Sequence, residues 1–152
     1  VDYISEIGAD ARELFIQHFL KSTEKAGKIV VFNTLMEKSV LFKLANDFPN
    51  HKNEIFERIK RIIDFEIPFK ELFYYHPKQQ GSFSLKAIGN AVLNEDEFAK
   101  STVKAGEEAM ALYNELFYFE DKNEIATKLQ QLKKYCQTDT FVLSKIFEKL
   151  KQ

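Results

Sequence analysis

Apolar residues in the last third of the chain recur at alternating steps of three and four: Leu129, Leu132, Cys136, Leu143, Ile146 and Leu150. This spacing predicts a long amphipathic helix over "NEIATKLQQLKKYCQTDTFVLSKIFEKLK". Asp139 falls on its apolar seam between Cys136 and Leu143, where a carboxylate is costly unless paired, hydrogen-bonded or bound to a metal. Tyr135, four residues earlier, projects from the neighbouring turn of the same face. A bend near Asp139 is one way for the helix to accommodate it.

The same patterning predicts further elements upstream. "ADARELFIQHFLKSTEKAG" reads as a helix with Leu14, Phe15, His18 and Phe19 on one face and Gly27 ending it. "KIVVF" is short, apolar and rich in β-branched residues, as a strand buried on both faces of an α/β sheet would be. "NTLMEKSVLFKLANDF" returns to helical spacing, with Asn33 at the turn. Pro49 breaks the chain before a helix in "HKNEIFERIKR". "IIDFEIPF" is an extended segment closed by Pro68, and "KELFYYHP" a brief helix or turn. Ser84 is placed to cap a short helix in "SLKAIGNAVL", and "VKAGEEAMALYNELFYF" forms a longer one. The expected class is α/β, helix-rich with too few strands for a complete sheet.

Length and composition narrow the class. At 152 residues the chain is expected to form a single domain with a substantial core. The 30% charged fraction argues for a soluble protein, and no apolar run approaches a membrane span. No signal peptide is visible. Val1 in place of methionine is expected of a processed chain or of part of a longer protein. A net charge of −1 gives no electrostatic bias towards nucleic acid, although an acidic metal site can coexist with local basic patches. The lone Cys136 excludes an intramolecular disulfide and a cysteine zinc cluster, and fits a reduced cytoplasmic setting.

Two constellations carry candidate chemistry. Asn33 and Glu37 form N-x-x-x-E just after a buried strand, and Tyr135 and Asp139 form Y-x-x-x-D on a helix. An Asp and a Glu brought together can share divalent ions in a two-metal phosphoryl displacement, with a nearby tyrosine orienting water. Hard oxygen ligands suit Mg²⁺ or Mn²⁺. Each residue also has a structural reading. Thr34-x-x-Glu37 is a capping box, Asn33 a helix cap, and Tyr135 a packing residue. Asp139 is read as the cap of a helix restarting at a bend, or as the partner of a lysine. His18 and His76 read as core-edge and loop residues, and Cys136 as a small buried hydrophobe.

The order of these pieces resembles the DEDD family of 3′–5′ exonucleases, tyrosine subtype, which have a ribonuclease H-like fold. "IVVFNTLMEK" matches the strand running into Asn with an acidic residue four positions on. Tyr135 and Asp139 match the last motif, while "IIDFEIPF" and "GSFSLKAIGNAVL" look like the segments between. More narrowly, "VVFN…EK", "DF…PF", "YYHP…GSFSLKAI", "KAGEEAMALY" and "YCQTDT" resemble the C-terminal part of a bacterial family of unknown function numbered 2779, over nearly the whole chain.

The resemblance implies a truncated ribonuclease H-like fold and metal-dependent hydrolysis at a nucleic-acid 3′ end. Asp139 and Glu37 would be metal ligands, Tyr135 would orient water and Asn33 would contact substrate. Glu37 stands where these exonucleases carry Asp. Their first motif, D-x-E, is not formed by Asp2, Glu6, Asp10, Glu13 or Glu24. Either it lies on a missing N-terminal segment of the same protein, leaving this chain nearly inactive alone, or the domain never had it. The runner-up is a non-catalytic module binding nucleic acid or protein, with "FYYHP" as a stacking surface.

Overall fold

The computed structural model describes residues 3–5, 10–94 and 96–151, with the side chain of Lys100 excepted. These fall into two compact units that meet in sequence between Tyr74 and Tyr75. The first contains α1 (Arg12–Ser22), β1 (Ile29–Val31), α2 (Thr34–Asp47), α3 (Lys52–Ile59), β2 (Ile62–Asp64) and the one-turn α4 (Ile67–Lys70). The second contains α5 (Leu85–Leu93), α6 (Gly106–Glu115) and α7 (Lys122–Leu150). The described residues are therefore helix-rich with few strands, as the patterning leads one to expect.

In the first unit β1 and β2 pair in parallel, with Ile29 opposite Ile62 and Val31 opposite Asp64. Parallel neighbours need a long crossover, and α2 and α3 supply it. The core beneath is Ile16 and Leu20 of α1, Leu41, Leu44 and Ala45 of α2, Ile55 and Ile59 of α3, and Ile62. Three sequence expectations shift here. The buried face of α1 runs through Ile16 and Leu20 with Phe15 and Phe19 beside it, so Leu14 and His18 point outward. The helix ends at Thr23, and Gly27 (φ +133°) instead turns the chain into β1. Arg61 fixes that turn, its guanidinium donating to the carbonyls of Thr23, Lys25 and Gly27. β1 is only half-buried rather than enclosed on both faces. Pro68 sits in the first turn of α4, where its missing N–H costs nothing.

The register of the strand pair has one further consequence. It puts the Asp64 carboxylate level with the first residues after β1. Oδ1 accepts the N–H of Asn33 (3.0 Å) and of Glu66 (2.9 Å), and Oδ2 accepts the N–H (2.9 Å) and hydroxyl (3.1 Å) of Thr34. One side chain thus ties the end of β2 to the start of α2 and satisfies amides that a helix N-terminus leaves open.

In the second unit, Ser84 caps α5 through the Ala87 N–H (3.2 Å), as its position predicts. Gly89 lets α5 lie directly on α7, because a Cβ there would fall 2.7 Å from Val142 Cγ1. Lys149 Nζ closes the same interface by donating to the Val92 carbonyl at 2.6 Å. Helix α7 is continuous over 29 residues, so no bend or helix restart occurs at Asp139. Its buried positions are Leu132, Thr138, Val142 and Ile146. The stripe runs one position earlier than the expected seam, through Tyr135 rather than Cys136, and Cys136 is exposed rather than a buried hydrophobe.

Replacing Asp64 with Asn removes a charged acceptor of four hydrogen bonds. The expected loss is about 2 kcal/mol in urea unfolding at pH 7. Burial disfavours the Asp64 charge, but the donors from Thr34, Glu66 and Asn33 outweigh it and hold its pKa below the ordinary value. A lowered folded-state pKa means stability present at neutral pH and lost as pH falls through that pKa. The gap between wild type and Asp64→Asn should close in acid; equal stability at pH 7 would show that the carboxylate holds nothing together.

Candidate functional site

The first unit brings Asn33, Glu37 and Asp64 to the carboxyl ends of its two strands. Asn33 adopts a left-handed conformation (φ +68°), which asparagine tolerates better than most residues. It caps α2, its Oδ1 accepting the Leu35 N–H at 3.3 Å. With Asn33 as the cap, Glu37 is the fourth helical residue rather than the third, so the Thr34-x-x-Glu37 capping box does not form. The Thr34 hydroxyl goes to Asp64 instead.

Glu37 lines a half-open cavity of about 330 Å³ whose walls are otherwise apolar, including Phe15, Phe19, Val31 and Val40. Its Oε2 is buried without a hydrogen-bond partner. Burial pushes the Glu37 carboxyl up, its own backbone N–H partly opposes this, and the neighbouring Asp64 charge adds to the rise. Asp64 and Glu66 also spell D-x-E at the end of β2, a spacing visible in the sequence but not singled out there. It is not an open pair of ligands, because Asp64 is occupied at the α2 start and Glu66 Oε2 pairs with Lys70 Nζ at 2.8 Å.

The second unit holds Tyr135 and Asp139 one turn apart on α7. The Tyr135 hydroxyl donates to the Asp139 carboxylate. Burial raises the pKa of Asp139, and the tyrosine bond only partly offsets it. Tyr135 is pushed up to about 12, by burial first and then by the charge and hydrogen bond of Asp139. It therefore stays protonated at any physiological pH and can orient a reactant but not act as a base. Gly106, the first residue of α6, faces this hydroxyl; a Cβ built there would lie 4.0 Å from Tyr135 Oη. Glu108 reaches back over the same helix start to accept the Lys104 N–H at 2.7 Å.

The remaining candidates are structural. His76 Nδ1 accepts the Lys78 N–H (3.2 Å) while Gln79 Oε1 accepts the His76 N–H (2.8 Å), a capping box around the turn Pro77–Gln79. His18 stacks on Tyr3 with ring centroids 4.8 Å apart. In "FYYHP", Tyr74 packs edge-on against Phe69 and the Tyr75 hydroxyl accepts the Gly81 N–H. Only Phe73, 81% exposed, stands clear.

A hard divalent ion of the Mg²⁺ or Mn²⁺ type needs several oxygen ligands. No group of three or more His, Cys, Asp or Glu side chains among the described residues is arranged to hold one. Nor is any helix among them long and apolar enough to cross a membrane.

One family model, described as "Domain of unknown function (DUF2779)", matches residues 1–84. It spans α1 to Ser84 and so includes Asn33, Glu37 and Asp64, whereas Tyr135 and Asp139 lie beyond it. The family match is thus narrower than the sequence motifs suggested. No curated protein and no solved structure matches the chain.

The raised pKa of Asp139 fixes the sign of a stability test. The cost of holding the charged form is present at neutral pH and disappears as pH falls through the raised value. Asp139→Asn, which can still accept from Tyr135, should therefore melt no lower than wild type at pH 7.5. Any advantage should shrink as the pH is lowered through the raised pKa of Asp139. A marked loss of thermal stability in Asp139→Asn would make the carboxylate a structural group like Asp64.

Proposed function

We propose that this chain, which belongs to the DUF2779 family of domains of unknown function, is part of a nucleic-acid hydrolase of the 3′–5′ exonuclease type on a ribonuclease H-like frame. The observation that carries the reading is the Tyr135–Asp139 pair: a carboxylate on the packing face of a continuous helix, raised in pKa by burial and held by one tyrosine hydroxyl. Perturbed carboxylates of this kind concentrate at functional sites. Asp139 serves as a metal ligand for Mg²⁺ or Mn²⁺. Tyr135 donates to Asp139 and accepts from the attacking water. Asn33, whose cap uses only Oδ1, keeps its amide N–H₂ for the substrate. Glu37, in the first unit, keeps the metal-ligand role that the resemblance implies, and Asp139 carries the greater part of the proposal.

Asp139 is one ligand of such a site, and on this reading the other carboxylates are supplied elsewhere in the protein. The chain by itself is expected to bind Mn²⁺ weakly and to turn over little substrate. A non-catalytic, nucleic-acid-binding reading has one observation in its favour. Phe73 is presented to solvent beside Leu72, which holds a left-handed backbone (φ +57°), as a base-stacking platform would be.

The two readings separate in a Mn²⁺-dependent assay on single-stranded DNA and RNA with labelled 5′ ends, using the natural protein that contains this chain. Asp139→Ala should lose about a hundredfold or more in rate, Tyr135→Phe about tenfold to a hundredfold, and Phe73→Ala should mainly weaken binding. Equal rates for wild type and Asp139→Ala would remove the pair from the mechanism. Binding without turnover, lost in Phe73→Ala, would favour the non-catalytic module.

A further inference from the structure

The cavity of the first unit has the size and lining of a small-molecule site. Its volume of about 330 Å³ lies within the range of ordinary ligand pockets, which combine apolar walls with a few polar groups that fix orientation. Phe15 and Phe19 of α1 form one wall with their rings nearly parallel (interplanar angle 8°). Ile29 and Val31 of β1 form the floor, and Val40 and Glu37 come from α2.

Glu37 is the one charged side chain in that lining. Its Oε2 is buried and accepts no hydrogen bond, whereas the nearby Asp64 carboxylate is fully engaged. A carboxylate left in this state is costly to the fold. The terminal torsion of a glutamate is broad and soft, so a small rotation presents the unpartnered oxygen to a ligand. With no basic group in the lining, the complement is a cation.

We propose that this cavity binds a small molecule with an apolar, ring-sized body and a single ammonium head, the body lying against Phe15, Phe19 and Val31 and the head donating to the Glu37 carboxylate. The site goes beyond the nuclease reading and needs neither Asp139 nor a divalent ion.

The test is a metal-free NMR titration of methyl-labelled protein with benzylamine, benzyl alcohol, toluene and benzoate. Benzylamine should shift the methyls of Ile29, Val31 and Val40 saturably, and bind about tenfold more tightly than benzyl alcohol, toluene or benzoate. Glu37→Gln should bring benzylamine and benzyl alcohol to within about twofold of each other, because it keeps the shape and removes the charge. Val40→Phe, at a half-exposed position that tolerates a larger side chain, should weaken all of the probes by filling the cavity. The proposal is overturned if no probe gives saturable shifts at these methyls. It is equally overturned if benzoate binds as well as benzylamine, or if Glu37→Gln leaves the preference intact. Since the titration contains no metal and no nucleic acid, its failure leaves the nuclease reading untouched, and the converse also holds.

Discussion

The first unit depends on where the charge of Asp64 goes. A parallel pair of three-residue strands has few ladder bonds of its own, and the carboxylate at the end of β2 adds four more to residues about thirty positions away in sequence and to its own turn. Because those bonds land on Asn33 and Thr34, they set where α2 begins. Asn33 is drawn into a left-handed cap, and Glu37 falls one position too late to close a capping box. The negative charge also meets the positive end of the helix dipole. The unusual state of Glu37 thus follows from how Asp64 is used.

Asp64, Glu37 and Asp139 form a graded series. Asp64 is saturated with donors and gains stability from its charge. Glu37 and Asp139 are held in surroundings that favour the neutral form, the first with an oxygen that bonds to nothing and the second with a single tyrosine. Neither is explained by the stability of the unit that contains it. The proposed roles follow that division: Asp64 builds, while Asp139 and Glu37 are available to ligands.

Much of this was legible in the chain. The β-branched run at Ile29, the cap at Ser84 and the three–four spacing of the last helix each correspond to an observed element, because each rests on a local rule. Asn33 was legible as a cap, since asparagine tolerates both the cap and the left-handed backbone. The failures share one cause. Nothing local in "IIDFEIPF" says that Asp64 will reach back to Thr34, for that depends on strand register, and without it Thr34 and Glu37 look like a capping box. On the long helix, the heptads through Cys136 and through Tyr135 share Leu132, Asp139 and Ile146. Packing against α5 at Gly89 and Val142 selects the second. The aromatic run at Phe73 also reads as one surface until the partners of Tyr74 and Tyr75 are seen.

The claim that the Tyr135–Asp139 pair is a ligand-binding centre is most directly tested by paramagnetic broadening of amide NMR signals on titration with Mn²⁺ at low concentration. Broadening that starts at residues around Asp139 and the first turn of α6, and is abolished by Asp139→Asn, is the expected result. Broadening that spreads evenly over the acidic surface, or that persists unchanged in Asp139→Asn, would contradict it.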